Sequence, residues 1–86
     1  MNVEILMRKL AEAGTTVILK ADHERYALGG DYWTLVISGG SLGAQGLVRA
    51  EEATLDECLR VGLVRLMESG SGWEWVSEFL RRGYRG

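Results

Sequence analysis

Proline is absent from this chain of 86 residues, and cysteine and histidine occur once each. With no proline to punctuate it, the chain must break its elements with glycine. A single cysteine, Cys58, excludes an intramolecular disulfide and points to a reducing, cytoplasmic setting. The single histidine, His23, lies between Asp22 and Glu24. Neighbouring side chains diverge in an extended loop, and no second imidazole or thiol cluster stands by to complete a tetrahedral metal site. No apolar run approaches the roughly 20 residues that cross a bilayer. The opening residues Met1-Asn2-Val3-Glu4 lack the basic-then-apolar layout of a secretory signal. Charge of one sign is missing too: 10 Lys and Arg stand against 12 Asp and Glu, a net −2. A nucleic-acid binder of this composition would have to gather its cations on one face.

What the chain does contain is ordinary globular material, 47% hydrophobic and 26% charged, in a length that suits one domain spanning residues 1–86. Its 12 glycines cluster at Gly14, at Gly29-Gly30, from Gly39 to Gly46 and from Gly70 to Gly72. These breaks leave segments of element length. From Asn2 to Ala13, Val3, Leu6, Met7, Leu10 and Ala13 recur at helical spacing, with Asn2 placed to cap and Gly14 to stop. From Thr15 to Asp22 the period shortens to two and β-branched residues gather, which predicts a strand. The polar stretch Asp22-His23-Glu24-Arg25 then reads as a loop running on to Gly29-Gly30.

A second strand is expected from Tyr32 to Ser38, with Trp33, Leu35 and Ile37 on one face, and a short third from Gly46 to Ala50. Thr54-Leu55-Asp56-Glu57 forms a capping box for a long helix with a stripe of Leu55, Leu59, Gly62, Leu63, Leu66 and Met67. Gly62 in mid-helix costs about 1 kcal/mol against alanine, so close packing against a neighbour is expected there. A second box, Ser71-Gly72-Trp73-Glu74, opens a short last helix through Arg82. The expected fold class is therefore α+β: helix, three-stranded antiparallel sheet, helix and short C-terminal helix (αβββαα), with the helices mainly on one sheet face.

Several motifs suggest chemistry. Ser38-Gly39-Gly40-Ser41-Leu42-Gly43-Ala44-Gln45-Gly46 resembles the glycine-rich diphosphate loop of the MurG-type glycosyltransferases, which would imply a diphosphate site. That family uses two nucleotide-type domains and seats the phosphate on a helix directly after the loop. Here a strand is expected after it, so the stretch reads as a connection between strands. The order of helix, three strands and helix is similar to that of double-stranded-RNA-binding domains, whose last long helix begins with a basic cluster. The corresponding place here reads Thr54-Leu55-Asp56-Glu57-Cys58 and would repel phosphate. The same stretch also resembles the strand-to-helix joint of HicB-type antitoxins, a likeness the capping box accounts for by itself. A Cys58–His23 dyad would need an accessible thiol, and Cys58 lies beside the apolar stripe of its helix, where small core residues sit.

With catalytic, metal and cofactor sites all unassigned, the expectation is a non-enzymatic binding protein. Its partner would be a protein, with a homodimer as one form. An inhibitor encoded by a phage or other mobile element, such as an anti-CRISPR protein, is a specific version of that reading. Two surfaces are singled out. One is the C-terminal segment, where Trp73, Val76, Phe79 and Leu80 would dock the last helix. Trp75 would stand off that face, beside a flexible basic tail of Arg81, Arg82, Tyr84 and Arg85. The other is the outer sheet face, where Ile18, Val36 and Leu47 would look outward beside Lys20, Thr34 and Arg49. The alternative, an RNA- or DNA-binding module, would set the tail arginines on phosphates and stack bases on Trp75 or Tyr84.

Overall fold

Asn2 opens the first helix, its side-chain oxygen accepting from the Ile5 N–H at 3.0 Å. The helix α1 (Val3–Glu12) sinks Leu6 and Leu10 into the core. It closes with paired bonds from Gly14 N–H to the Ala11 carbonyl and from Thr15 N–H to the Leu10 carbonyl, the Schellman pattern. The Thr15 hydroxyl donates to the same Leu10 carbonyl at 2.7 Å, so this buried corner has no stranded polar group. The structure is a computed structural model and describes residues 1–40, 42 and 46–83.

Three strands follow, β1 (Thr16–Ala21), β2 (Trp33–Ser38) and β3 (Leu47–Glu52). They form an antiparallel sheet in the order β1-β2-β3. The expected architecture is thus present, and β3 runs two residues further than Ala50. The register pairs Val17 with Ile37 and Ile37 with Val48, then Leu19 with Leu35 and Leu35 with Ala50. These rows point at the helices. On β2 and β3 they supply Leu35, Ile37, Val48 and Ala50 to the buried core.

One element departs from the expectation. The polar stretch after β1 is not a loop but a short helix, α2 (His23–Ala27). The Asp22 carboxylate caps it, accepting from Glu24 N–H at 2.9 Å and Arg25 N–H at 3.3 Å. Gly29 and Gly30 close it with bonds back to the Tyr26 and Arg25 carbonyls, the same stop that ends α1. Five residues are too few to show an apolar stripe, so periodicity could not reveal it. The cap and the stop were its only signals.

The long helix α3 (Leu55–Glu68) starts on Thr54, whose hydroxyl accepts from Glu57 N–H at 3.1 Å. Only half of the expected box forms, because the Glu57 carboxylate pairs with Arg60 at 2.8 Å. Cys58, Leu59, Gly62, Leu63 and Leu66 make its buried face. Gly62 is where the helix meets the sheet. A Cβ placed there would overlap Leu35 Cδ2 and fall 3.6 Å from the Ala50 Cβ. The last helix α4 (Val76–Gly83) begins later than the Ser71 box implied. The Glu74 carboxylate takes the Gly72 N–H at 3.2 Å, and single-turn bonds from Val76 and Ser77 lead into the helix.

Because Leu35 is itself fully buried, Gly62→Ala should overpack this crossing at a cost of about 1–3 kcal/mol, exceeding the gain in helix propensity of about 1 kcal/mol. Chemical denaturation should show a net loss of about 1 kcal/mol. In a Leu35→Ala background, which leaves a cavity, the same substitution should instead stabilise the fold. An unchanged sign in the two backgrounds would show that the contact does not set this crossing.

Candidate interaction surface

The pleat that sends Val17, Leu19, Leu35, Ile37, Val48 and Ala50 inward sends their neighbours out. The outer face carries three cross-strand rows: Thr16, Ser38 and Leu47; Ile18, Val36 and Arg49; Lys20, Thr34 and Glu51. Helices α1, α3 and α4 contribute to the core on the other side. Ile18 and Leu47 are each 54% exposed, with Val36 half-buried between them. All three therefore look outward together, as their alternation implied.

One end of this face is not bare. Helix α2 leans over it and lays Arg25 across the strands. The Arg25 guanidinium donates to the Thr34 hydroxyl at 2.6 Å and lies 3.4 Å from Glu51 and 3.5 Å from Asp22. Thr34 is only 1% exposed for this reason, although its strand position faces outward. Glu51 also accepts from the neighbouring Arg49, so an Arg25–Glu51–Arg49 chain crosses the sheet beside the aliphatic patch. The Arg49 hydrogen bond holds the Glu51 carboxyl below its usual range. Asp22 is held down too, first by the Arg25 and Glu24 backbone N–H groups at the start of α2.

The C-terminal surface is built differently from the expectation. Trp73 and Val76 are buried, and Phe79 and Leu80 pack partly against the core, as a docking face should. Trp75 does not stand apart from them. Its ring lies 6.2 Å from that of Trp73 and 5.9 Å, edge-on, from that of Phe79. The Lys9 ammonium sits 5.5 Å from the Trp75 ring centre, tying α4 to α1. The reason is the late start of α4: with Trp75 in the turn ahead of Val76, its ring can fold back onto α1. A shallow groove of about 340 Å³, lined by Ile5, Lys9, Trp75, Glu78 and Phe79, remains between the two helices. Arg81 pairs with Glu78, one helical turn back. Tyr84 and Arg85 lie outside the described residues, as does the side chain of Arg82.

The remaining reactive groups are separated. Cys58 is fully buried on the core side, its thiol donating to the Ala50 carbonyl at 3.5 Å. Burial, with Glu52 nearby, pushes that thiol up, away from the nucleophilic thiolate. His23 is exposed on α2. Among the described residues, no group of three His, Cys, Asp or Glu is placed to hold a metal ion. The glycine loop leads from β2 into β3. Gly39 sits so close to the turn after α1 that a Cβ would fall 2.7 Å from the Gly14 carbonyl oxygen, a packing reason for glycine there. Leu42 of the same loop is buried in the core.

Sequence reasoning missed the roles of Arg25, Glu51 and Lys9 on these surfaces. Arg25 could be placed only once α2 was known, and Lys9 only once α4 had been docked on α1. Missed too were Tyr26 and Leu28, 65% and 87% exposed at the end of α2. Among the described residues, no helix is long and apolar enough to cross a membrane. No known family model, curated protein or solved structure matches this chain.

Asp22 and Glu51 titrate lower in the folded chain than in the unfolded one. Their ionised forms therefore stabilise the fold fully above the ordinary carboxylate range of about pH 4, and that stability fades as pH falls through their folded values. Thermal melts between about pH 6 and pH 2 should show Glu51→Gln flattening the acid-side fall in Tm. A profile that stays parallel to that of the unsubstituted chain would mean the Arg25–Glu51–Arg49 chain is not maintained in solution.

Proposed function

We propose that this protein is a non-enzymatic binding module that takes a protein partner on the outer face of its sheet. The observation that carries the reading is the pair of aliphatics, Ile18 and Leu47, each 54% exposed on the face turned away from α1, α3 and α4. Covering a side chain of this kind is worth about 1.5–3 kcal/mol when it is fully removed from water. Arg25, Arg49, Glu51 and Lys20 give the patch a polar border, the layout of protein interfaces with an apolar centre and a wet rim. Their ion pairs are largely settled within the chain, so they favour a partner with matching hydrogen-bonding groups over one with a dense charge. An inhibitor that covers a functional surface of another protein is one form of such a module.

The nucleic-acid alternative asks for free cations in a row, and here Arg49 and Arg25 share Glu51 while Arg81 holds Glu78. Affinity capture from the source cells tests the choice. Leu47→Glu and Ile18→Glu should each weaken retention of captured protein at least tenfold, a loss of about 1.4 kcal/mol. Leu28→Glu, on a still more exposed side chain at the end of α2, should leave it unchanged. Undiminished capture by both patch variants would overturn the proposal. Retention on nucleic acid that falls steeply with salt would favour the alternative.

A further inference from the structure

The two edges of the sheet are not alike. The Asp22 N–H donates to the Tyr32 carbonyl at 2.8 Å, extending the β1–β2 ladder by one pair. Hydrogen-bonded pairs alternate along an antiparallel ladder, so Thr16, Ile18 and Lys20 bond to β2. The N–H and C=O groups of Val17, Leu19 and Ala21 then point away from the sheet. By the same alternation Leu47, Arg49 and Glu51 present the free groups of β3. There the Arg65 guanidinium reaches from α3 to the Arg49 carbonyl and occupies the edge, which supports the parity. Among the described residues, no side chain reaches the β1 edge in this way.

β1 is also the strand that its own fold covers least. It has no buried residue: Ile18 is exposed outward, and even the core-facing Val17 and Leu19 are only half-buried. Its sequence, Thr-Val-Ile-Leu-Lys-Ala, is rich in β-formers and contains one charge, Lys20, in place of the prolines, bulges and repeated charges that usually blunt an edge.

We infer that the β1 edge pairs with the β1 edge of a second copy of this chain, antiparallel about a two-fold axis at Ile18, to form a continuous six-stranded sheet. The edge is self-complementary in that register. Val17 and Leu19 exchange both backbone hydrogen bonds with Leu19 and Val17 of the second copy. Their half-covered side chains meet on the helix side. On the outer side Ile18 faces its own counterpart in a non-hydrogen-bonded pair, where Cα atoms approach to about 4.5 Å and side chains are closest. Each Lys20 stands opposite a Thr16, and the two lysines lie four residues apart along the strands. Centring on Leu19 instead would bring the lysines within two residues of each other and leave Ile18 beside a lysine. An unrelated extended peptide could use the same bonds, but a second copy also brings its own exposed Ile18 and half-buried Val17 and Leu19 to be covered. The pairing uses the strand edge and shares only Ile18 with the outer-face patch, so Leu47→Glu, which should weaken partner capture, should leave the pairing intact.

Sedimentation equilibrium of the purified chain tests it. The mass should rise with concentration from 9.5 kDa toward twice that value. Ile18→Lys, at an exposed position, opposes two like charges at the closest pair and should hold the chain at the monomer mass with an unchanged circular dichroism spectrum. Mild oxidation of Ile18→Cys should give a disulfide-linked dimer far faster than Leu47→Cys, an equally exposed site on the same face, while buried Cys58 stays reduced. A monomer up to about 1 mM, the scale of weak association, would overturn the pairing. So would an Ile18→Lys chain that dimerises as well as the unsubstituted one, or cross-linking of Leu47→Cys as fast as that of Ile18→Cys.

Discussion

The seat of α3 on the sheet at Gly62 decides most of what this protein presents to solvent. With no side chain at that position, the helix backbone drops close to Leu35 and Ala50. The facing Ala50 keeps the crossing shallow on the sheet side as well. Leu59, Leu63 and Leu66 then reach the inner face on either side of the contact, and Leu6 and Leu10 of α1 fill the space beside them. Dispersion and burial both reward this close approach, because interiors at crystal-like density lose contacts when a helix is held away. Once the core has closed on the inner face, the outer face is what is left over.

The outer face is shaped by a smaller element. Asp22 caps α2, and this places Arg25 where its guanidinium can span Asp22, Thr34 and Glu51. The result is a sheet face with a polar, ordered end and an aliphatic middle. Such exposed ion pairs contribute little stability singly. Their effect here is positional: they hold the long Arg25 side chain over Thr34 at one end of the face.

The C-terminal segment illustrates how a helix that starts about one turn late changes a surface. Trp75 falls in the turn before α4, not within it, and its ring turns back to Phe79, Trp73 and Lys9. A tryptophan that helical phase would have set apart thus becomes the joint between the first helix and the last. The groove left beside it is shallow and lined from both sides, so it exists only because the start of α4 folds back onto α1.

The sequence by itself determined the α+β class, the strand faces and the caps of α1 and α3, because these rest on local rules: period two or 3.6, a cap side chain reaching its own first turn, a glycine ending a helix. Asn2, Thr54, Gly14 and the inward set of Leu35 and Ile37 were legible on those grounds, and Gly62 carried its message as a misplaced glycine. α2 was not legible, since five residues hold too little pattern to outweigh a polar composition. Tertiary structure alone decided that Arg25 covers Thr34, that Arg65 guards the edge of β3 and that Lys9 meets Trp75. Each of these joins residues from separate elements, and the distance between them depends on how layers stack, a quantity no local spacing encodes. The placement of the single Cys58 and the single His23 was decided in the same way. Packing seals the thiol against the Ala50 carbonyl and leaves the imidazole in solvent.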